Sequence, residues 1–76
     1  MTYDIHTLVP KSKMKYDSVF WAWWHYETNM HTRLYGVFYF QNEPIFRCAI
    51  DLNRSGPPTE QEKQDMVKYV DEYLGK

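Results

Sequence analysis

Hydrophobic and polar residues alternate in three stretches of the chain and recur at helical spacing in a fourth, which predicts three strands followed by one helix. The first strand is predicted over Asp17–Glu27. It surrounds the segment Val19–Tyr26, in which five of eight residues are aromatic and which holds all three tryptophans of the chain. Aromatic and β-branched residues favour the pleated surface of a sheet. Alternate side chains of a strand point to opposite faces, so one face carries Val19, Trp21, Trp23 and His25 and the other carries Phe20, Ala22, Trp24 and Tyr26.

Neither face of this aromatic strand is polar. A small antiparallel sheet usually has one covering layer, so either a second layer covers the other face or that face binds a partner. Which of the two faces points inward stays open, because the strand has no polar face to set its register.

Two further strands are predicted over Thr32–Gln41 and Ile45–Leu52, with turns at Thr28–His31 and Gln41–Pro44. Gly36 leaves a gap in the apolar face of the second strand, where a tryptophan ring has room to lie flat. The third strand has the clearest alternation, and its core side is predicted to consist of Phe46, Cys48, Ile50 and Leu52.

A helix is predicted to begin at Glu60. The segment Thr59–Glu62 has the pattern of a capping box, in which the threonine oxygen accepts from the amide of Glu62 and the glutamate reaches back. Gly75 is placed to end the helix. The apolar positions recur at spacings of three and four residues and comprise Met66, Val67, Tyr69, Val70, Tyr73 and Leu74.

The first ten residues alternate weakly and stop at Pro10, which predicts a short edge strand. A different arrangement is also open, in which this segment folds across the outer face of the sheet and hides its aromatic residues. The two arrangements differ in whether the sheet has an exposed aromatic face.

These elements predict an α+β fold, formed as one domain over residues 1–76: an antiparallel meander of three strands, or four if the N-terminal strand joins, packed on one face by a single C-terminal helix. The helix is expected to cover the face of Phe46 and Cys48. The outer face is then expected to carry, beside one aromatic set of the first strand, Arg33, Tyr35, Val37, Tyr39, Ile45, Arg47 and Ala49.

Composition narrows the class of protein. The chain is 43% hydrophobic and 25% charged, as in globular proteins. Its net charge of -1 argues against strong electrostatic attraction of phosphate groups. The single cysteine forms no internal disulfide, and the chain has no apolar run long enough for a bilayer span and no secretory leader pattern. We therefore expect a soluble cytoplasmic protein that does not enter a membrane.

The candidate chemistry of the chain is sparse. His6, His25 and His31 lack the spacing of metal ligands relative to one another and to Cys48, so no metal or cofactor is expected. Cys48 with a histidine and Asp51 resembles a nucleophilic set, but a thiol on a core-facing position usually packs without reacting. The chain also has no glycine-rich phosphate loop or serine elbow. We expect neither an enzyme nor a small-molecule substrate.

The excess of aromatic surface predicts a protein-interaction module that forms a homodimer or docks on a larger protein. Tyrosine, tryptophan and arginine are enriched at interface hot spots, because each joins a large contact area to a polar group. The predicted partner-binding residues are Trp21, Trp23, Trp24, Arg33, Tyr35, Tyr39 and Arg47.

A second hypothesis is single-stranded nucleic-acid binding. Exposed aromatic residues on a sheet stack on bases, and arginines beside them contact phosphates. The residues for this role are Arg33, Tyr35, Tyr39 and Arg47, together with the basic loop Lys11–Lys15, which otherwise is a solvated loop.

In its short length, its lack of motifs and its density of tyrosine and tryptophan, the chain resembles accessory proteins of bacteriophages and mobile elements. Such proteins often bind and block a host protein. The resemblance implies a macromolecular partner from a bacterial host and assigns no role to any single residue.

Overall fold

A computed structural model of the chain describes residues 3–26 and 31–75, and it confirms the α+β class. The sheet has four antiparallel strands in the order β1-β4-β3-β2, so that β1 and β2 are its edges. One helix, α1, follows the sheet. The strands are β1 (Asp4–Thr7), β2 (Ser18–Tyr26), β3 (His31–Phe40) and β4 (Glu43–Asp51), and the helix α1 spans Glu60–Tyr73.

The N-terminal segment forms the predicted edge strand and does not cross the outer face over its described residues, 3–10. β1 pairs with β4, with Asp4 opposite Ala49 and Thr7 opposite Phe46. Tyr3 stacks on Tyr69 of α1 with 4.5 Å between ring centroids, on the helix side of the sheet. The face opposite α1 is therefore left open by this segment.

The hairpin between β3 and β4 is tighter than the predicted turn over Gln41–Pro44. Gln41 and Asn42 have φ values of 52° and 66°, and such left-handed residues suit a two-residue hairpin whose twist matches the strands. β4 therefore begins at Glu43. Pro44 lies within β4, beside a register shift between Phe38 and Tyr39. The turn predicted at 28–31 lies, apart from His31 in β3, outside the described residues.

The same register shift corrects the placement of Ile45. Phe38 lies opposite Phe46 and Tyr39 lies opposite Pro44, so Ile45 is the extra residue of a β-bulge. The bulge interrupts the alternation, and Ile45 is buried with 8% of its surface exposed. It therefore belongs to the core and not to the outer face, where alternation alone had placed it.

The core lies between the sheet and α1. Phe38 and Phe46 stack with 4.7 Å between ring centroids and an interplanar angle of 6°, and both are fully buried. Met66 and Val70 of α1 are also fully buried. All four predicted core residues of the third strand are buried, as predicted: Phe46, Cys48, Ile50 and Leu52.

The helix begins at Glu60, as its capping pattern predicts. The Thr59 hydroxyl accepts from the amide of Glu62 at 3.2 Å, and the Thr59 amide donates to the Glu62 carboxylate at 2.7 Å. Arg54 also pairs with this carboxylate. Gly75 follows the helix with φ +83°, a left-handed conformation that suits glycine after a helix end. In the described part of the chain, no helix combines the length and the apolar composition that crossing a bilayer requires.

Candidate functional site

The register of β2 determines which of its aromatic residues face away from α1. Trp21 lies opposite Gly36 and Trp23 opposite Leu34, on the α1 side of the sheet, whereas Trp24 lies opposite Arg33 and Phe20 opposite Val37. We call the sheet surface opposite α1 the outer face. Its central residues are Phe20, Ala22, Trp24, Tyr26, Arg33, Tyr35, Val37, Tyr39, Arg47 and Ala49.

Two large apolar side chains stand out from this face. Phe20 is 60% exposed and Trp24 is 63% exposed. They lie on the same face of β2, four residues apart, so about 13 Å of strand separates them. Ala22 occupies the position between them, which leaves a low point between two exposed rings.

The outer face brings together five of the seven residues predicted to bind a partner: Trp24, Arg33, Tyr35, Tyr39 and Arg47. Trp21 and Trp23 lie on the opposite side of the sheet. Trp21 is partly buried against the core, whereas Trp23 is 46% exposed. The seven residues therefore do not form one continuous surface. Phe20 was missing from the predicted set, although strand alternation places it on the same side as Trp24.

Arg33 forms an ion-pair network across three strands. Its guanidinium donates to Asp51 of β4 at 3.0 Å and to Asp4 of β1 at 2.9 Å. The hydrogen bond with Asp4 is the largest cause that raises the pKa of Arg33. The guanidinium carbon also lies 5.6 Å from the centre of the Tyr35 ring. The network neutralises the Arg33 charge and holds its side chain across the sheet.

Two tyrosines, Tyr26 and Tyr35, lie beside this network at one end of the outer face. The pKa of Tyr26 is raised, chiefly by its interaction with the Tyr35 hydroxyl. The Tyr26 ring also meets the His31 ring edge to face, with 5.4 Å between centroids. Tyr26 and Tyr35 each combine a ring surface with a hydroxyl group, a combination that is common at protein interfaces.

The thiol and one of the histidines take structural positions. Cys48 is fully buried, and burial is the main cause that raises its pKa to about 12. At neutral pH the thiolate needed for nucleophilic attack is therefore scarce. His25 Nδ1 lies 3.5 Å from the hydroxyl of the buried Thr32, which donates its proton to the Gly56 carbonyl at 2.7 Å. Because the Thr32 proton is already donated to Gly56, a hydrogen bond between His25 and Thr32 requires His25 Nδ1 to be the donor.

The described residues, 3–26 and 31–75, contain no cluster of three or more histidine, cysteine, aspartate or glutamate side chains placed to hold a metal ion. They also enclose no pocket. The feature of the described surface that suggests binding is therefore the aromatic outer face.

Over its described residues, the chain is a small α+β fold in which α1 covers one face of the sheet and leaves the other face open. Comparison of the chain with protein-family models, with curated proteins and with solved structures finds no match. The function must therefore be inferred from the side chains of the open face and from the edges of the sheet.

Proposed function

We propose that this protein is a non-enzymatic interaction module of the cytoplasm that binds a protein partner through β2 and the outer face. The observation that carries the proposal is the pair of exposed rings, Phe20 and Trp24, on one side of an edge strand. Burying a large apolar side chain contributes about 1.5–3 kcal/mol, so two such rings supply a substantial part of a binding free energy. Association also costs free energy, because each partner loses translational and rotational freedom and its interface side chains become ordered, so the rest of the contact surface has to contribute as well.

The surface around the rings supports a specific contact. Arg33 is held by Asp4 and Asp51, so it does not have to be ordered when a partner binds. Side chains that are already ordered lose less entropy on association. Tyr35 and Tyr39 extend the aromatic surface onto β3. Such a mixture of tryptophan, tyrosine and arginine is typical of interface hot spots.

The partner is a protein of one of two kinds: a second copy of this chain or a larger protein. For the larger protein, the resemblance to accessory proteins of bacteriophages and mobile elements points to a protein of a bacterial host.

Charge on the outer face favours a protein over a single-stranded nucleic acid. The guanidinium of Arg33, which would be a phosphate ligand, is occupied by two carboxylates. Those carboxylates, on Asp4 and Asp51, lie on the same face and would repel phosphate. Arg47 is the remaining arginine there. A nucleic-acid partner usually requires several free cationic groups along its path.

The test is affinity capture, with and without nuclease, from a lysate that also contains an untagged copy of the chain, using the tagged wild-type chain and a tagged Trp24→Glu variant. We expect a protein that is retained after nuclease treatment by the wild type and lost by Trp24→Glu. Tyr73→Glu is the matched control, because Tyr73 is an aromatic residue of α1 that is also exposed, at 39%. Circular dichroism verifies that both variants fold.

Two results would contradict the proposal. Equal capture by the wild type, Trp24→Glu and Phe20→Glu would show that the exposed rings do not bind the partner. Bound material that disappears with nuclease and binds more weakly as salt rises would identify the outer face as a surface for nucleic acid.

A further inference from the structure

The aromatic residues of β2 are arranged symmetrically about Ala22. Trp21 and Trp23 are one residue away from Ala22 on either side, and Phe20 and Trp24 are two residues away. When two copies of a strand pair antiparallel about a central residue, a residue before the centre in one copy lies opposite the residue equally far after the centre in the other copy. A self-paired β2 would therefore place aromatic residues opposite aromatic residues on both faces of the sheet.

We propose that two copies of this chain pair antiparallel through the free edges of β2, with Ala22 at the twofold axis, to form one continuous eight-stranded sheet. This inference rests on the proposed function and specifies its partner and register. Phe20 then lies opposite Trp24 of the second copy on the outer face. Trp21 lies opposite Trp23 of the second copy on the α1 side.

The backbone hydrogen bonds determine which groups of β2 are free. The Leu52 amide donates to the Thr32 carbonyl at 2.8 Å. Since alternate residues of a strand bond to a given neighbour, the even-numbered residues of β3 bond to β4 and its odd-numbered residues bond to β2. Arg33 lies opposite Trp24, so the even-numbered residues of β2 bond to β3.

The odd-numbered residues of β2 consequently direct their amides and carbonyls to the free edge. These residues are Val19, Trp21, Trp23 and His25. No strand in the described part of the chain pairs with this edge. A second β2 offers the same groups in reverse order, so Trp21 of each copy exchanges backbone hydrogen bonds with Trp23 of the other.

Ala22 suits the axis of such a pair. By the same alternation it forms a non-hydrogen-bonded pair with Ala22 of the second copy, in which the Cα atoms are about 4.5 Å apart. Side chains come closest in a pair of this kind, so a small residue fits where two larger ones would collide. The low point between Phe20 and Trp24 is thus the crossing point of the two copies.

The two edge strands differ in how well they are protected from pairing with another strand. β2 has nine residues, no register shift against β3, and no proline, glycine, lysine, arginine or acidic residue. β1 has four residues, among them Asp4 and His6. Exposed strands are normally kept from pairing by shortness, charge, proline or bulges. β1 has such protection, whereas β2 lacks it.

This difference also explains why assembly stops at two copies. A twofold contact uses both β2 edges and leaves the short β1 edges outside. A contact between unlike edges would instead leave a β2 edge free and continue into a fibre. The exposure of Trp23 on the otherwise covered α1 side is also accounted for, because Trp21 of the second copy covers it.

The first test locates the axis by cysteine cross-linking. Ala22→Cys places two thiols at the axis, within the range of Cα separations that a disulfide spans, whereas Trp24→Cys places them several residues apart. Under mild oxidation we expect Ala22→Cys to form a covalent dimer at least about tenfold faster than Trp24→Cys. The wild type is the control for Cys48, which is buried.

The second test uses charge to verify the register. In Phe20→Glu/Trp24→Glu, acidic residues of the two copies face each other, and we expect light scattering to give the mass of one chain. In Phe20→Lys/Trp24→Glu, each lysine faces a glutamate of the other copy, and we expect the mass of two chains. A contact between outer faces is excluded by the first test, because sheets packed face to face lie about 10 Å apart, too far for a disulfide between two Ala22→Cys positions.

The pairing is overturned if the wild type stays monomeric at high concentration, or if Trp24→Cys cross-links faster than Ala22→Cys. Its failure can be separated from failure of the proposed function. If the chain is monomeric and Trp24→Glu still abolishes capture of a larger protein, the edge pairing is wrong and the interaction module stands. If the chain is monomeric and both Trp24→Glu and Phe20→Glu leave capture unchanged, the edge pairing and the interaction module are both wrong.

Discussion

The ring of Trp21 on β2 lies against Gly36 on β3, the residue directly opposite it in the sheet. A Cβ atom added to Gly36 would lie 3.0 Å from Trp21 Cζ3, 3.1 Å from Met66 Sδ and 3.2 Å from Phe38 Cε1. Gly36 is therefore required for packing, because it gives the indole and the methionine of α1 room to meet over the sheet. This contact helps hold Trp21 on the core side and so leaves Trp24 on the outer face.

We expect Gly36→Ala to destabilise the protein by about 1–2 kcal/mol, measured as the free energy of unfolding in urea. Overpacking a core costs about 1–3 kcal/mol, whereas replacing glycine by alanine within a strand gains about 0.5–1 kcal/mol. Three neighbours stand in the way at once, and two of them are aromatic rings, so the overpacking cost is larger than the gain.

The same substitution in a Trp21→Phe background is the control. The smaller ring leaves room beside Gly36, so we expect Gly36→Ala to cost less there than in the wild type. An equal cost in both backgrounds, or a more stable single variant, would show that the Trp21 contact does not limit this position.

Features that depend on neighbouring residues were predictable from the sequence. Thr59 and Glu62 carry the whole capping box within four residues, so the start of α1 could be located at Glu60. The gap at Gly36 also followed from alternation along one strand, and a tryptophan ring fills it. In these cases the side chains that determine the structure lie close together in the chain.

Features that depend on pairing between strands were harder to predict. Both faces of β2 are apolar, so hydrophobicity could not show whether Trp21 or Trp24 points outward. The contact with Gly36 decides it, and that contact is known only once the register is known. Ile45 was misplaced because a bulge adds one residue and reverses the alternation at that point. The predicted site accordingly mixed residues of the two faces.

Tyr16 connects the segment before β2 to the helix, and its loss should be visible in stability. Its hydroxyl donates to Asp71 Oδ1 at 2.7 Å, and its ring meets Phe38 edge to face with 4.9 Å between centroids. Tyr16→Phe keeps the ring and removes the hydroxyl. We expect a loss of about 1–2 kcal/mol in the free energy of unfolding at neutral pH, because a hydrogen bond to a charged acceptor is lost.

The contribution of the Tyr16 hydroxyl should disappear in alkali. Burial, followed by the hydrogen bond to Asp71, raises the pKa of Tyr16 from 10.0 to about 12. A group with a raised folded-state pKa stabilises fully below its unfolded pKa and loses that effect as the pH rises through the folded one. The difference between the wild type and Tyr16→Phe should thus shrink between pH 10.0 and about 12. A constant difference across this range would contradict the assignment.

Glu62 should contribute to stability in the opposite pH range. The hydrogen bond from Arg54 is the largest cause that lowers its pKa from 4.5, and the Thr59 amide adds to it. A lowered folded-state pKa stabilises above the unfolded value, and the effect is lost as the pH falls through the folded value. Glu62→Gln keeps a residue that can complete the capping box and removes the charge. We expect a cost of about 0.5 kcal/mol at neutral pH, since the pair is partly exposed, and none in acid well below pH 4.5.

A double-mutant cycle tests whether Arg54 is the residue through which the Glu62 charge stabilises the protein. If Arg54 is the main cause, Glu62→Gln should cost little in an Arg54→Met background at any pH. An undiminished cost in that background would assign the effect to the helix end instead of to the ion pair.

Arg33 ties β1, β3 and β4 together through two carboxylates, and its contribution should depend on salt. Arg33→Met keeps an unbranched apolar side chain but leaves Asp4 and Asp51 without their shared cation. Exposed ion pairs are worth about 0–1 kcal/mol each, so we expect a loss of about 1 kcal/mol in low salt. Raising the ionic strength from about 0.01 M to about 1 M shortens the Debye length from about 30 Å to about 3 Å and should remove most of that loss.

The matched control for Arg33 is Arg47→Met, because Arg47 lies on the same face and has no ion pair in the part of the chain that the structure describes. We expect this variant to unfold with nearly wild-type free energy at both salt concentrations. If Arg33→Met and Arg47→Met behave alike, the network contributes no stability. The network would then act only by holding Arg33 in place on the outer face. In that case Arg33→Met should weaken partner capture while leaving the free energy of unfolding unchanged.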